Sequence, residues 1–222
     1  MKKLLTISIA FLFVTQGFIA SAQSTSESSD SLENSSPDET SDRGNFVLSV
    51  GGGVSVPFDA KMFGTADVEM DDGPAATMTL NYFFEDIDYL YVGLDFTYFN
   101  TEISRINSFP FPFSNSIDVY NGLATVGVAL PVGDIVLLTV GGGFGVGVFD
   151  TDFGGVISSS KTSTVGVYKL EIGAQFELTE SWGLGVGYKF MGTTSDVKTP
   201  LTGFTLEDFQ TNVFTAAVTF RF

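Results

Sequence analysis

Four charged residues stand in segments of the chain that otherwise consist of glycine, apolar and small polar residues. They are Asp95, Lys169, Glu171 and Lys189. If the turn between the last two segments is centred near Glu180, Glu171 faces Lys189 across a pair of strands, and we expect Asp95 and Lys169 to join them. A buried carboxylate and a buried ammonium need one another, because an unpaired buried charge is very costly. These four residues therefore predict a charge network, either as a structural plug or as a gate in a narrow passage.

The chain contains no histidine and no cysteine. The familiar Ser-His-acid and Cys-His arrangements for nucleophilic catalysis are therefore excluded. Any metal site would have to consist of oxygen ligands alone. Because no other catalytic constellation is found, we expect a protein that is not an enzyme and that binds no cofactor.

Segment 59–73 contains Asp67, Glu69, Asp71 and Asp72, and carboxylates at alternate positions suggest a cation site. The spacing does not fit the calcium-binding loop of an EF-hand, which needs a glycine at its sixth position and a glutamate at its twelfth. We therefore expect a solvated acidic loop.

The segments that would position the charge network are strands, because apolar residues recur at every second position rather than at helical spacing. Eight such runs keep one parity, with large apolar residues on one face and glycine or polar residues on the other. The fold class is therefore all-β, and we predict an eight-stranded antiparallel up-and-down barrel. The runs cover 45–58, 75–84, 89–101, 117–130, 135–149, 162–178, 182–191 and 209–222.

Alternation alone does not separate a soluble barrel, with its apolar face inside, from a transmembrane barrel, whose apolar face meets lipid. The lengths of the connections favour the second. Links after the second, fourth and sixth runs are short and the others are long, as in outer-membrane barrels with short periplasmic turns. Aromatic residues also cluster near both ends of the apolar face, as interfacial girdles do. We predict a transmembrane barrel with both mature termini in the periplasm.

The last run carries a third membrane feature. Thr215, Ala217, Phe220 and Phe222 fit an insertion signal in which a polar residue, a small residue and two aromatic residues alternate on a terminal strand. Ala217 stands where glycine is usual. With these features, residues 45–222 resemble the small eight-stranded outer-membrane β-barrels, the family of the OmpA transmembrane domain, OmpX and the porin-like barrels. The resemblance implies outer-membrane lipid as the surroundings and assembly by periplasmic chaperones and the barrel-insertion machinery. It does not imply one activity.

The N-terminal part of the chain has the composition of a targeting segment followed by a linker. Residues 1–22 combine two lysines, an apolar stretch and a small-residue cleavage site at Ala20 and Ala22, so we expect a signal peptide cut before Gln23. Residues 23–44 are rich in Ser, Thr, Asp and Glu, and such a segment buries too little apolar surface to order. We expect a disordered linker that acts as a tether or as a tail that binds the cell wall or a partner.

A proline-aromatic segment, 108–114, falls in a long connection. Its three phenylalanines, Phe109, Phe111 and Phe113, alternate with prolines, which prevent regular strand pairing. Exposed apolar residues in a loop often mark a contact surface. These residues are therefore candidates either for contact with an unknown surface partner or for a cover over the mouth of the barrel.

The inward face of the predicted barrel has many glycines, so its lumen is either filled by Phe83, Tyr89, Tyr91 and Phe99 or left partly open. A net charge of −16 argues against nucleic acid as a partner. We expect an integral outer-membrane barrel with a structural or surface-interaction role and acidic outer loops. The alternatives are a narrow pore for small solutes and a soluble periplasmic ligand-binding barrel.

Overall fold

The computed structural model describes residues 45–62, 65–84, 89–110, 115–133, 135–154, 159–200 and 205–222. The predicted signal peptide 1–22, with Ala20, Ala22 and Gln23, and the predicted linker 23–44 lie outside these residues. Among the described residues, no helix is long and apolar enough to cross a membrane. The strands in this part of the chain are β1 (Phe46–Pro57), β2 (Ala60–Met62), β3 (Ala66–Asp71), β4 (Gly73–Phe83), β5 (Leu90–Ile106), β6 (Phe109–Pro110), β7 (Asn115–Val132), β8 (Val136–Phe153), β9 (Ser159–Glu177), β10 (Trp182–Thr193), β11 (Val197–Lys198), β12 (Thr205–Glu207) and β13 (Gln210–Arg221).

Eight of these strands form a closed ring in the order β1, β4, β5, β7, β8, β9, β10 and β13, and β13 pairs with β1 again. Every pairing is antiparallel. These strands correspond to the eight alternating runs, and the predicted fold class is confirmed. Closure matters in lipid because a closed ring leaves no backbone hydrogen-bonding group on an open edge.

The outer face of the ring is apolar along the middle of the strands. Large apolar side chains at even positions are exposed to the surroundings, with 49% exposure for Val50, 57% for Val146 and 61% for Leu170. Exposing such a continuous apolar belt to water would be unfavourable, whereas contact between the belt and the hydrocarbon core of a membrane is favourable. The odd positions point into the lumen.

The two ends of the ring differ. We call one the turn end, because there Leu178 and Thr179 donate backbone hydrogen bonds to Trp182 in a tight turn. Aromatic rings pack in pairs at this end, such as Phe46 with Tyr82 at 5.0 Å between centroids. At the opposite end, the loop end, Tyr98 packs on Tyr120 at 5.1 Å and Tyr188 packs on Phe214 at 5.2 Å. The structure thus has an aromatic girdle at each end.

The barrel wall continues beyond the loop-end girdle as a collar. We define the collar as β2, β3, β6, β11 and β12 together with the loop-end segments of β5, β7, β8 and β9. β3 pairs with β5, β2 with β3, β12 with β2, and β11 with β12. The backbone N–H of Lys198 on β11 donates to the Ser163 hydroxyl on β9 at 3.3 Å, which links the two sides of the collar.

The collar corrects the prediction that 59–73 is a solvated loop. The segment contains β2 and β3, and Val68 and Met70 are buried, at 0% and 9% exposure. The carboxylates of Asp67 and Asp71 alternate with these apolar side chains and point outward. The period-two pattern was therefore present in the sequence, but the acidic residues made the segment resemble a loop.

Candidate functional site in the lumen

The interior of the barrel contains the four charged residues that the sequence singles out, and the structure brings them together. Lys169 Nζ lies 2.6 Å from Asp95 Oδ2 and 2.7 Å from Glu171 Oε2. Lys189 Nζ lies 2.6 Å from the same Asp95 oxygen. The Asp95 and Lys169 side chains are each 1% exposed, so these ion pairs form away from bulk water.

Strand register explains why these residues meet. The pairing of β10 with β9 places Lys189 opposite Glu171, as expected from a turn near Glu180. The carboxylate of Glu171, however, pairs with Lys169, two residues away on its own strand, while Lys189 reaches across the lumen to Asp95 on β5. With two ammoniums and two carboxylates, the cluster has no net formal charge.

Three hydroxyl-bearing residues that do not belong to the predicted charge network complete the cluster. Lys189 Nζ donates to Thr77 Oγ1 at 2.7 Å and to Thr97 Oγ1 at 3.1 Å. The Tyr91 hydroxyl donates to Glu171 Oε1 at 3.1 Å. Their odd-numbered positions mark all three as inward-facing, but only the ring geometry shows which of the inward hydroxyls lie at the level of the charges. We call the four charged residues and these three the charge cluster.

Inward glycines accommodate the long side chains of the charge cluster. A Cβ atom at Gly127 or Gly141 would lie 2.5 Å from the ring or hydroxyl of Tyr91, and one at Gly143 would lie 3.0 Å from Lys169 Cε. The glycines at this level therefore provide room for Tyr91 and Lys169 rather than a free passage.

Between the charge cluster and the loop end, the half of the lumen that we call the loop half is filled by apolar side chains. Phe209 stacks on Phe99 at 6.1 Å between ring centroids and meets Phe149 edge-on at 5.2 Å. Each of the three rings is at most 2% exposed. We call the buried apolar residues of this half the apolar plug. Its other members are Ala60, Met62, Val68, Met70, Ala75, Ile103, Ile117, Val119, Leu123, Phe153, Val165, Val167, Met191, Val197, Leu206 and Val213.

Two of the four residues expected to fill the lumen behave as predicted: Tyr91 and Phe99 are each 1% exposed. Phe83 is partly buried and its ring lies 5.5 Å from that of Tyr91. Tyr89 does not fill the lumen. It is 49% exposed and has a φ of 75°, because it lies in the connection before β5, where the chain leaves the alternating pattern of the strand.

On the turn-end side of the charge cluster, the lumen contains a small cavity. The cavity has a volume of about 80 Å³, and Tyr91, Glu171 and Lys189 are among its lining residues. Towards the turn end, Arg221 pairs with Glu177 at 2.7 Å, and its guanidinium lies 5.7 Å from the ring centre of Phe83. We call this space the turn-end chamber. The described lumen is thus a plug, a charge cluster and a chamber in series.

The architecture matches a known family. The family model for the outer membrane protein β-barrel domain matches residues 48–222. The chain belongs to this family. No curated protein matches the chain in sequence.

Among solved structures, this outer-membrane barrel is similar to the Neisserial surface protein A (NspA), at 14% identity and a TM-score of 0.56, over 81% of this chain and 99% of that one. It is also similar to OprG of Pseudomonas aeruginosa, at 16% identity and a TM-score of 0.53, over 81% of this chain and 97% of that one. A third is Ail, the attachment invasion locus protein of Yersinia pestis, solved with the heparin analogue sucrose octasulfate. It shares 16% identity and a TM-score of 0.51, over 81% of this chain and 99% of that one.

The remaining candidate residues of this outer-membrane barrel lie apart from the lumen cluster. Thr215 and Ala217 occupy inward positions on β13, and Phe222 lies outside at 63% exposure. Phe220 packs with Trp182 in the turn-end girdle. The role of these four residues in insertion stays a prediction.

The proline-aromatic segment is described only at its start. Asn107 and Ser108 have φ values of 49° and 67°, and they connect β5 to β6 in a two-residue turn. Phe109 follows at 76% exposure, while Phe111 and Phe113 lie outside the described residues. Within the described ranges, no group of three or more acidic residues is placed to hold a metal ion, which includes the described part of 59–73.

Proposed function

We propose that this outer-membrane barrel is closed to solutes and presents its collar to the cell exterior as an interaction surface. The barrel spans the outer membrane, as members of its family do. In this proposal the turn end, where β1 begins and β13 ends, faces the periplasm. The collar faces the cell exterior. The short turns at one end and the long connections at the other support this orientation.

The observation that carries the proposal is the filling of the loop half. The residues of the apolar plug are at most 9% exposed, and the charge cluster lies directly below them. An ion that crossed this region would have to lose its hydration among apolar side chains, which is prohibitively costly without compensating partners. This observation favours a closed barrel over the narrow-pore alternative. We also propose that the barrel is not an enzyme, since the sequence offers no histidine or cysteine for catalysis.

Planar-bilayer conductance tests the closed state. We expect no steady current from the purified barrel, with a conducting porin as the positive control. Incorporation is verified by a heat-shift gel on the same vesicles, because a folded barrel migrates differently before and after boiling. A reproducible steady current through the incorporated protein would favour the narrow pore instead.

The charge of the collar indicates what kind of partner its surface attracts. In the described part of the collar and of the connections that join its strands to their neighbours, nine carboxylates are exposed, but only four cationic side chains are. Acidic surfaces attract cationic partners and repel anionic ones, and the effect falls with ionic strength. The exposed carboxylates are Asp59, Asp67, Asp71, Asp72, Glu102, Asp150, Asp152, Asp196 and Asp208, and the cations are Lys61, Arg105, Lys161 and Lys198.

We expect cells that display the barrel to bind a polylysine probe at low salt and not to bind heparin. Ail is known in complex with a heparin analogue, so the comparison separates the two surfaces despite their common fold. Replacing Asp150 and Asp152 by asparagine should weaken polylysine binding. Glu180→Gln, an exposed change at the turn end, is the matched control and should leave binding unchanged. If Glu180→Gln alone weakens binding, the proposed orientation is wrong; if none of these variants does, the collar is not the contact surface.

A further inference from the structure

We infer that the outer wall of the collar binds an extended basic segment of a partner protein, in which positively charged residues stand at every second position. This inference rests on the proposed function and deepens it, because it names the place on the collar and the chemistry of the segment. The binding site is a groove that extends from the start of β2 across β3 and β5 to β6, and we call it the collar groove. Among its lining residues are Asp59, Glu69, Asp71, Ser104, Arg105 and Pro110.

The collar groove is large enough to hold more than one side chain of a partner. Its volume is about 660 Å³, within the range of roughly 300–1,000 Å³ that is usual for ligand sites. The register between β3 and β5 shifts after Glu69, so that Ser104 is an additional residue on β5 without a partner on β3. Such a bulge bends its strand, which accounts for the concave wall. The Ser104 hydroxyl donates to the Glu69 carbonyl oxygen at 3.2 Å and holds the bulge in place.

The charges of the collar groove stand in two rows, because residues that pair across strands lie side by side. In the first row, Glu69 pairs with Arg105 across β3 and β5, and the two side chains form an ion pair at 2.9 Å. Asp59, which directly precedes β2, adds a second carboxylate to this row. In the second row, Asp71 lies directly opposite Glu102. The first row therefore has one uncompensated negative charge, and the second row has two.

The uncompensated carboxylates are accessible to a partner. Asp59, Asp71 and Glu102 are exposed, and none of them forms an ion pair with a described residue. Like charges that face one another directly across two strands are destabilising. An ammonium or guanidinium group placed over Asp71 and Glu102 would remove this repulsion. A basic partner is therefore the kind of partner that the charges of the groove favour.

The spacing of the carboxylates favours an extended polycation over a metal ion. Within the ranges that the structure describes, no three acidic side chains converge closely enough to hold a metal ion. The two rows are instead separated by two residues of β3, from Glu69 to Asp71, which corresponds to about 6.6 Å along a strand. Basic residues at every second position of an extended peptide have the same separation and point to the same side. Such a segment, lying along β3, places one cation over each row.

The test compares two short peptides of the same composition. Ser-Lys-Ser-Lys-Ser has its lysines at alternate positions, whereas Lys-Ser-Ser-Ser-Lys separates them by twice that distance along an extended chain. Both peptides are acetylated, amidated and labelled with a neutral fluorophore. Their binding to the barrel in nanodiscs of a zwitterionic lipid is measured at low salt by fluorescence anisotropy. We expect the alternating peptide to bind about two- to fivefold more tightly, because the other peptide satisfies one row at a time.

Single substitutions of exposed residues test the two rows separately. Asp59→Asn and Asp71→Asn should each weaken binding of the alternating peptide about two- to fivefold, the effect of losing one exposed ion pair. Arg105→Gln should instead strengthen binding, because it leaves the carboxylate of Glu69 without its partner. Asp196→Asn is the matched control: it removes an exposed carboxylate before β11, three strands from β3, and should bind the peptide as the natural sequence does. The heat-shift gel verifies that each variant folds.

Four outcomes would overturn the inference. If neither peptide binds, or both bind equally, the groove does not distinguish the spacing of the charges. If Asp59→Asn and Asp71→Asn bind as tightly as Asp196→Asn, the contact lies elsewhere on the barrel. If Arg105→Gln binds more weakly, the charges assigned to the first row are wrong. If spermidine displaces the alternating peptide at the same concentration as the unlabelled peptide does, the groove binds polyamines in general.

The polylysine experiment separates these failures from a failure of the proposed function. Polylysine that still binds to cells while the short peptides fail would leave the acidic collar as the contact surface and overturn the inference alone. Loss of polylysine binding to cells that display the natural sequence would count against the proposed function itself.

Discussion

At the scale of single residues, Asp95 is the centre of the lumen cluster, because one of its oxygens accepts from both Lys169 and Lys189. Its other oxygen accepts from Thr97 Oγ1 at 2.6 Å. Replacing Asp95 by asparagine would leave two buried ammoniums with Glu171 as the one remaining carboxylate of the cluster. Breaking a buried ion pair in this way costs about 3–5 kcal/mol.

We therefore expect Asp95→Asn to lower the free energy of unfolding by about that amount, measured by urea titration in lipid vesicles with the heat-shift gel as readout. Adding Lys189→Met should recover part of the loss, because the remaining Lys169–Glu171 pair is neutral. Glu180→Gln, an exposed change, is the control and should shift the free energy by less than about 0.5 kcal/mol. A loss for Asp95→Asn no larger than that of the control would mean that the cluster contributes little to stability.

At the scale of elements, the sequence predicts the eight barrel strands because lipid and lumen impose opposite requirements on alternate residues. It predicts their loop-end limits less well: β5 continues to Ile106, where the run was expected to end at 101. Beyond the girdle the outer face no longer meets lipid, so polar residues such as Asn100 and Glu102 appear outside while Ile103 stays buried inside. In this part of the strand the apolar residues point inward and the polar residues point outward, which is the reverse of the pattern within the membrane.

The contacts inside the lumen could be predicted only in part from the sequence. Inward parity identifies Asp95, Lys169 and Lys189 as candidates for pairing, since buried charges need partners. It does not show that Phe209, which precedes β13, enters the lumen, or that Tyr91 occupies the space left by Gly127 and Gly141. Those contacts cross the ring between strands that are distant in sequence. They follow from the tilt and stagger of the closed barrel, which local patterns do not encode.

At the scale of the whole molecule, the barrel exists as a ring only if its first and last strands meet. Phe46 N donates to Phe222 O at 3.1 Å, and Phe222 N donates to Phe46 O at 3.0 Å. The two rings stack at 5.9 Å between centroids. We call the pairing of β1 with β13 the seam, because it closes the sheet. Phe222 forms the last residue pair of the seam at the turn end, in addition to its predicted role in the insertion signal.

Deleting Phe222 removes both hydrogen bonds and the stacked ring, so the last pair of the seam cannot form. An unpaired backbone group in lipid costs several kcal/mol, and the partly open edge must enter the bilayer before it closes. We expect the deletion to slow insertion into preformed vesicles after dilution from urea, followed over time by the heat-shift gel. Phe222→Tyr, which keeps the backbone pair and an aromatic ring, should insert at the rate of the natural sequence. If the deletion variant inserts as fast as Phe222→Tyr, closure at this end of the seam does not limit assembly.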